Sequence, residues 1–470
     1  MADTDTAVYT YGWDTAFVIR AADVNKAIVD CKSSPPNFSY SETESDPGYS
    51  VTGDFGDWQI AMGGDGKQIR MLLPLKNVVL TFPATNKVLK YDSGQAIIEI
   101  SLHFIPHTDT ANPPASGSLS ALVVQSASDS DNDPVISMVS LVLSPTPGLV
   151  AESVIREGII QWGTNNLQDF SHVFAIVNLN RIIDTDQWGF VNPNYTSYAY
   201  LDLDTIDNSL FGVLCMTGDR TGESLSEQIS VSAIHSPSRS GFLVSQARTL
   251  YDLVRPAICL AYPGLTDSNF LMSPDGTKLY LTEGSSVDLK SIEHNGTTYY
   301  PKLKSLSVES NGQILTLISY TETEVAAGIT ATCTSTHWYT ISMGSSNNGQ
   351  TLSFVQYKDP SIVNAINQSS GSQLTQIIID IVASIVLIIL VILTEGAVLI
   401  VGAVVIGLVL GANQMVPALI EKLNMDDSPS IDLLLANTVD PITWTGSKAF
   451  KLDYGSMNAS LQLGGDPLFV

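Results

Sequence analysis

From Ile377 to Leu410 the chain carries an apolar tract whose two uncharged runs, Ile381 to Leu393 and Gly396 to Ala412, are separated only by Thr394 and Glu395. As helices the runs would be about 20 and about 26 Å long, each short of the ~30 Å hydrocarbon core of a bilayer. A helix apolar on every face must be enclosed, by protein or by lipid. Three readings follow: a buried helix, a transmembrane segment, and a hairpin that inserts into membranes when triggered. Enclosure by protein is favoured by the flanks, where the nearest bases are Lys358 and Lys422 and no aromatic belt is present. Glu395 would sit near mid-bilayer in a single spanning helix, at a cost of a few kcal/mol. Gly402, Gly407 and Gly411 lower helix propensity unless a partner packs closely against them.

The rest of the chain reads as strand and turn. Between Lys67 and about Leu143 the β-branched and aromatic runs alternate with turn residues, which predicts antiparallel sheet. A helix is expected from Glu152 to about Asp169, with Ile155, Ile159 and Trp162 on one face. A second is expected around Leu243, Ala247, Leu250 and Val254, ending at Pro256. Asp275-Gly276, Asn295-Gly296 and Asn311-Gly312 mark hairpins in a meander from Lys278 to Tyr357. At 470 residues two domains are expected, 1–238 and 239–470, the second containing the apolar helical tract 377–411. The fold class expected is α+β.

With 22 basic and 47 acidic residues the formal charge is −25, which disfavours nucleic acid as a partner. Against that background residues 67–90 hold no acid and five bases, Lys67, Arg70, Lys76, Lys87 and Lys90. Converging, they would form a candidate headgroup or anion patch for anionic phospholipid. On separate strands they are solubilising edge residues. Cys31, Cys215, Cys259 and Cys333 lack CxxC spacing, so no metal site or disulfide framework is read there. His103 and His107 have H-x3-H spacing but sit in a strand-like run interrupted by Pro106. Asp129, Asp131 and Asp133 open like a calcium loop, with Pro134 where glycine belongs and Ser140 where glutamate belongs. No catalytic motif is found and no cofactor is expected. The acidic start, MADTDTAVYT, is unlike a signal peptide, so cytoplasmic synthesis is expected, with any release by a non-classical route.

Several strings resemble one family in order and number. They are Tyr11-Gly12-Trp13-Asp14 with Val24-Asn25-Lys26, Gly63-Gly64-Asp65-Gly66 leading to Leu73-Pro74-Leu75, and Phe104-Ile105-Pro106. Asn178-Leu179-Asn180 with Trp188, Gly241-Phe242-Leu243-Val244-Ser245, and Leu461 to Pro467 after Trp444 complete the set. Across nearly the whole chain they resemble the forty-seven-kilodalton proteins encoded beside clostridial neurotoxin genes, a branch of the tubular lipid-binding superfamily. That resemblance implies two tubular lipid-binding-like domains, each a highly curved antiparallel sheet wrapped around a long helix. It implies an apolar groove for lipid or another apolar ligand, for which Ile381, Ile385, Ile388, Ile392, Leu399, Val405 and Leu408 of the tract are the candidates. It also implies peripheral membrane association, and partners among proteins encoded by adjacent genes. Insertion or pore formation through the tract, and a scaffold role in protein assembly, remain the competing functions.

Overall fold

Strand Gln68–Phe82 buries Ile69, Met71, Leu73, Leu75, Val78 and Leu80, a period of two with one skip. The skip is a bulge at Asn77, whose φ of 52° is left-handed and whose side chain donates to Asp54 Oδ2 at 2.8 Å. The extra residue lets Leu75 and Val78 both face the core. Such alternation recurs along most of the chain. A computed structural model describes residues 7–44, 48–107, 119–127, 134–178, 193–262, 264–346, 349–383, 385, 442–445, 447 and 451–467.

Among the described residues the main sheet has 19 strands. Lys87–Ile100 pairs with Ile136–Ser144 on one side and with Gln68–Phe82 on the other, and Gln68–Phe82 pairs on with Tyr49–Phe55 and Gln59–Gly66. Through Pro193–Leu201 and Leu210–Thr217 the sheet reaches Thr15–Arg20, which also pairs with Ser240–Val244. Ser240–Val244 takes Ser460–Asp466 as its next neighbour, and the hairpin partner of that strand, Lys451–Asn458, meets Ile329–Ser346 at Ser456 and Ser342. The long meander Lys302–Asn311, Ile314–Ala326, Ile329–Ser346 and Gly349–Gln368 extends it, and the short strands Asn37–Glu42, Phe270–Met272, Lys278–Leu281 and Val287–Asp288 complete it. Every named ladder is antiparallel. A second sheet of four strands, Ile442–Trp444, Ala175–Asn178, Leu119–Val124 and Leu102–His107, closes on the first through Trp444, whose ring meets Phe17 at 5.6 Å and Phe211 at 5.8 Å.

This architecture corrects the expected fold class. Of the described residues 54% are strand and 17% helix, and no long apolar helix wrapped by sheet is present among them. The helix Leu149–Asn166 is the longest described, and it buries one face only: Ala151, Ile155, Gly158, Ile159, Trp162 and Gly163. The start of the apolar tract is helical at 376–383 and 385, and it too is one-faced. Val382 and Ile385 are buried, Ile378 and Ile381 pack at the edge of the core, and Ile377 is 71% exposed. That is i, i+3, i+4, i+7 spacing, the signature of a helix lying on a surface rather than within a tube. Ile388, Ile392, Leu399, Val405 and Leu408 lie outside the described residues, as do Trp188 and the acids 129, 131 and 133. No described helix is long and apolar enough to cross a membrane.

The helical segment expected to end at Pro256 continues past it. Leu243 belongs to a strand, and Gln246–Arg248, the π-helical turn Thr249–Val254 and Arg255–Ala261 run on without a break. The π-turn restarts the hydrogen-bond pattern so that Pro256 falls in a first turn, where its missing N–H removes no bond.

Candidate functional site

The helix Leu149–Asn166 lies against the inner side of the sheet at close range. A Cβ on Gly158 would sit 2.9 Å from Val51 Cγ2, and one on Gly163 2.7 Å from Ile136 Cδ1. Trp162 anchors the contact, 5.1 Å from Phe55 and 6.3 Å from Phe38 between ring centroids. At its N-terminal end the helix parts from the sheet and a cleft of about 550 Å³ opens. One wall is Lys87, Leu89, Lys90 and Tyr91. The other is the turn through Pro145 and Thr146 and the first helical turn.

Strand pairing explains why the cleft forms there. Ile136–Ser144 leaves the sheet at Ser144, opposite Ser93, so from residue 87 to 92 the strand keeps, among the described residues, only its neighbour Gln68–Phe82. The mouth is amphipathic. Leu149 and Val150 are 87% and 73% exposed, and Leu89 and Tyr91 form an apolar floor. Lys87 and Lys90 are exposed and have no ion pair among the described residues. Gly148 caps the helix without a side-chain hydrogen bond, and the first turn it opens lines the cleft. Glu152 in that turn is occupied by Arg156 at 3.2 Å.

The five bases read from the sequence are divided by this geometry. Along the Gln68–Phe82/Lys87–Ile100 ladder, Lys87 stands opposite Phe82, Lys90 opposite Val79, Lys76 opposite Ser93 and Arg70 opposite Glu99. At about 3.3 Å per residue, Lys87 and Arg70 are roughly 40 Å apart. Arg70 pairs with Glu99 at 3.4 Å and Lys67 with Glu227 at 2.9 Å, while Lys76 faces Asp54 across the neighbouring strand. Lys87 and Lys90 alone reach the cleft. Pro145, Thr146, Leu149 and Val150 were missed as site residues; the signal available for them was the Pro-Thr-Pro-Gly turn just before the helix.

The histidines occupy other ground. His172 is buried between Phe170 and Phe174, with Nδ1 2.9 Å from Ser33 Oγ. Burial lowers its pKa to about 4. A Ser–His contact at this distance is what nucleophile activation uses, but both side chains are buried and Ser33 also donates to Ile28 O at the end of helix Ala21–Cys31, so the pair serves to fasten that helix. His103 lies in Leu102–His107, and no group of three or more metal-binding side chains occurs among the described residues.

The strings that carried the resemblance hold structural posts. Asn25 clasps the backbone of Ile60, donating to its O at 3.0 Å and accepting from its N at 2.6 Å. Trp13 is fully buried and its Nε1 donates to Ser226 O at 3.0 Å.

A long antiparallel sheet with a second small sheet and helices laid on its surface define a sheet-built class of protein. The family is shown by direct comparison: residues 10–465 match the OrfX-like family, described as Protein OrfX2/OrfX3/P47, and the chain belongs to it. Protein OrfX3 of Paraclostridium bifermentans is 34% identical, with 97% of this chain and 98% of that protein covered. Protein OrfX3 of Clostridium botulinum (strain Kyoto / Type A2) is 30% identical over the same shares. Among solved structures, P47 from Clostridium botulinum A2 superposes with a TM-score of 0.67 at 17% identity, covering 98% of both chains, which establishes likeness of fold.

Proposed function

We propose that this chain is a non-catalytic accessory protein of a neurotoxin-type gene cluster that engages anionic lipid at a membrane surface through the cleft between residues 87–91 and 145–151. The observation that carries this reading is the pairing of two lysines without ion-pair partners, among the described residues, with an apolar floor and an exposed apolar rim. A phosphate headgroup would meet Lys87, on the same face of the strand as Leu89 and Tyr91, and the first-turn N–H groups, with Lys90 reaching it round the open strand edge from the other face, while its acyl carbons would meet Leu89, Tyr91, Leu149 and Val150. The cleft, rather than a helix enclosed by sheet, is then the lipid-contacting element. Binding is peripheral and needs no spanning segment. Partners encoded by adjacent genes would be recruited to the same membrane.

Flotation with liposomes tests the proposal. Vesicles of phosphatidylcholine with an anionic phosphoinositide should carry the protein upward, and pure phosphatidylcholine should not. Lys87→Gln with Lys90→Gln should weaken binding roughly thirtyfold, at about 1 kcal/mol per lysine near an anionic surface. Flotation indifferent to both lipid charge and the lysines would reject the reading.

A further inference from the structure

The strand Gly349–Gln368 is 20 residues long, and its only ladder among the described residues is with Ile329–Ser346, so none of those residues forms a strand on its other edge. A long open edge is a template for another strand, and proteins usually blunt it with charge, proline or a bulge. Here those devices gather at Lys358, Asp359 and Pro360, where the register shifts. Beyond them, residues 361–368 pair regularly from Thr336 opposite Ser361 to Ile329 opposite Gln368, with no charge and no shift. Ile362 and Val363 are exposed there, Val363 by 64%.

The sequence of this stretch is nearly symmetric about one residue: Ile362-Val363-Asn364-Ala365-Ile366. In an antiparallel pairing about a two-fold axis normal to the sheet at Asn364, Ile362 lies opposite Ile366 of the second copy and Val363 opposite its Ala365. Asn364 then meets its own equivalent. Such an axis keeps each sheet face on its own side, so paired residues must share a face. They do: the ladder places Ile362, Asn364 and Ile366 on the side of Ser335, Cys333 and Ala331, and Val363 and Ala365 on the side of Thr334 and Thr332. Moving the axis by half a residue would set one face against the other. Charge favours the same contact, because in a chain of −25 an acid-free edge is where two copies meet with least repulsion.

We propose that two copies of this chain associate through residues 361–368, edge to edge, with the two-fold axis at Asn364. The geometry makes a sharp demand on a cysteine placed there. Directly opposed residues of an antiparallel pair have Cα atoms about 4.5–5.5 Å apart, within disulfide range. A cysteine at 363 would face its own equivalent only diagonally, roughly 7–8 Å away, beyond easy bridging.

Sedimentation velocity of the full chain at micromolar concentration should show a dimer that Val363→Lys converts to monomer with an unchanged circular dichroism spectrum. In a Cys31→Ser background, mild oxidation of Asn364→Cys should give a covalent dimer, and Val363→Cys should cross-link far more slowly. A wild-type monomer overturns the proposal, and that outcome would leave the edge to a strand from a different protein. A dimer that survives Val363→Lys, or that cross-links equally at both positions, overturns the assigned edge and register. Should Val363→Lys fail to fold, the cysteine pair decides alone.

Discussion

Arg220 donates two hydrogen bonds to Asp14 Oδ2, from Nε at 3.0 Å and from Nη2 at 2.7 Å, joining the first strings of the chain to a loop beyond residue 217. The same oxygen accepts from Thr217 N at 2.8 Å, and Arg248 approaches Oδ1 at 3.6 Å from the segment that follows Ser240–Val244. One buried carboxylate thus holds strand Thr15–Arg20, the end of Leu210–Thr217 and the helical run beginning at Gln246. Asp14→Ala leaves the largely buried Arg248 with Asp252, at 2.9 Å, as its carboxylate partner, removes the partner of Arg220 and strands the Thr217 N–H. It should destabilise the fold by about 3 kcal/mol, and Arg220→Gln, whose side chain is more exposed, by less. Urea denaturation of the two variants checks the order.

His172 sets an acid limit on stability. Its pKa in the fold is about 4, below the ordinary value of 6.5, because burial among Phe170 and Phe174 disfavours the charged ring. A lowered histidine pKa means that the unfolded chain binds the proton first, so stability is complete above 6.5 and is lost as pH falls toward 4. His337, also buried, shifts in the same direction. About 2 kcal/mol should be lost to His172 between pH 8 and pH 5. His172→Gln, which cannot charge, should flatten the pH dependence of the urea midpoint over that range. An unchanged slope would contradict the assignment.

Gly158 and Gly163 are both buried on one helix and face neighbours of different stiffness. The nearest atom to a Cβ at 163 is the flexible tip of Ile136, whereas at 158 it is the branched carbon side of Val51, at 2.9 and 3.1 Å. Alanine gains about 1 kcal/mol of helix propensity at either position. Gly163→Ala should therefore be neutral or stabilising, and Gly158→Ala should fall below it by about 1 kcal/mol, since χ1 of valine does not yield cheaply. Thermal melts of the two variants give the comparison.

What was legible in the sequence was local. Ile155, Ile159 and Trp162 were placed on one buried face because helical period is a property of a single segment. Asn295 and Gly296 both take positive φ, 51° and 76°, as an Asn-Gly hairpin requires. What was not legible depends on pairing between distant strands. Counting bases from 67 to 90 could not reveal that a hairpin folds this stretch so that Lys87 and Lys90 share a cleft with Leu149 while Arg70 faces Glu99 far along the ladder. The apolar tract misled in a related way. Hydropathy reports that Ile377 and Ile385 are alike, yet Ile377 is exposed and Ile385 is fully buried, because only one side of that helix meets the core. Pro256 misled because a π-turn upstream resets the hydrogen-bond count, a feature with no compositional mark.

On the proposed reading, lipid meets the protein at the mouth beside Lys87 and Lys90. A phosphoinositide carrying a photoreactive diazirine near the glycerol backbone, incorporated in liposomes, measures this most directly when the labelled residues are mapped by mass spectrometry. Labelling is expected within 87–91 and 145–151, reduced by Lys87→Gln with Lys90→Gln. Labelling confined to other parts of the chain, or unchanged in that double variant, would contradict it.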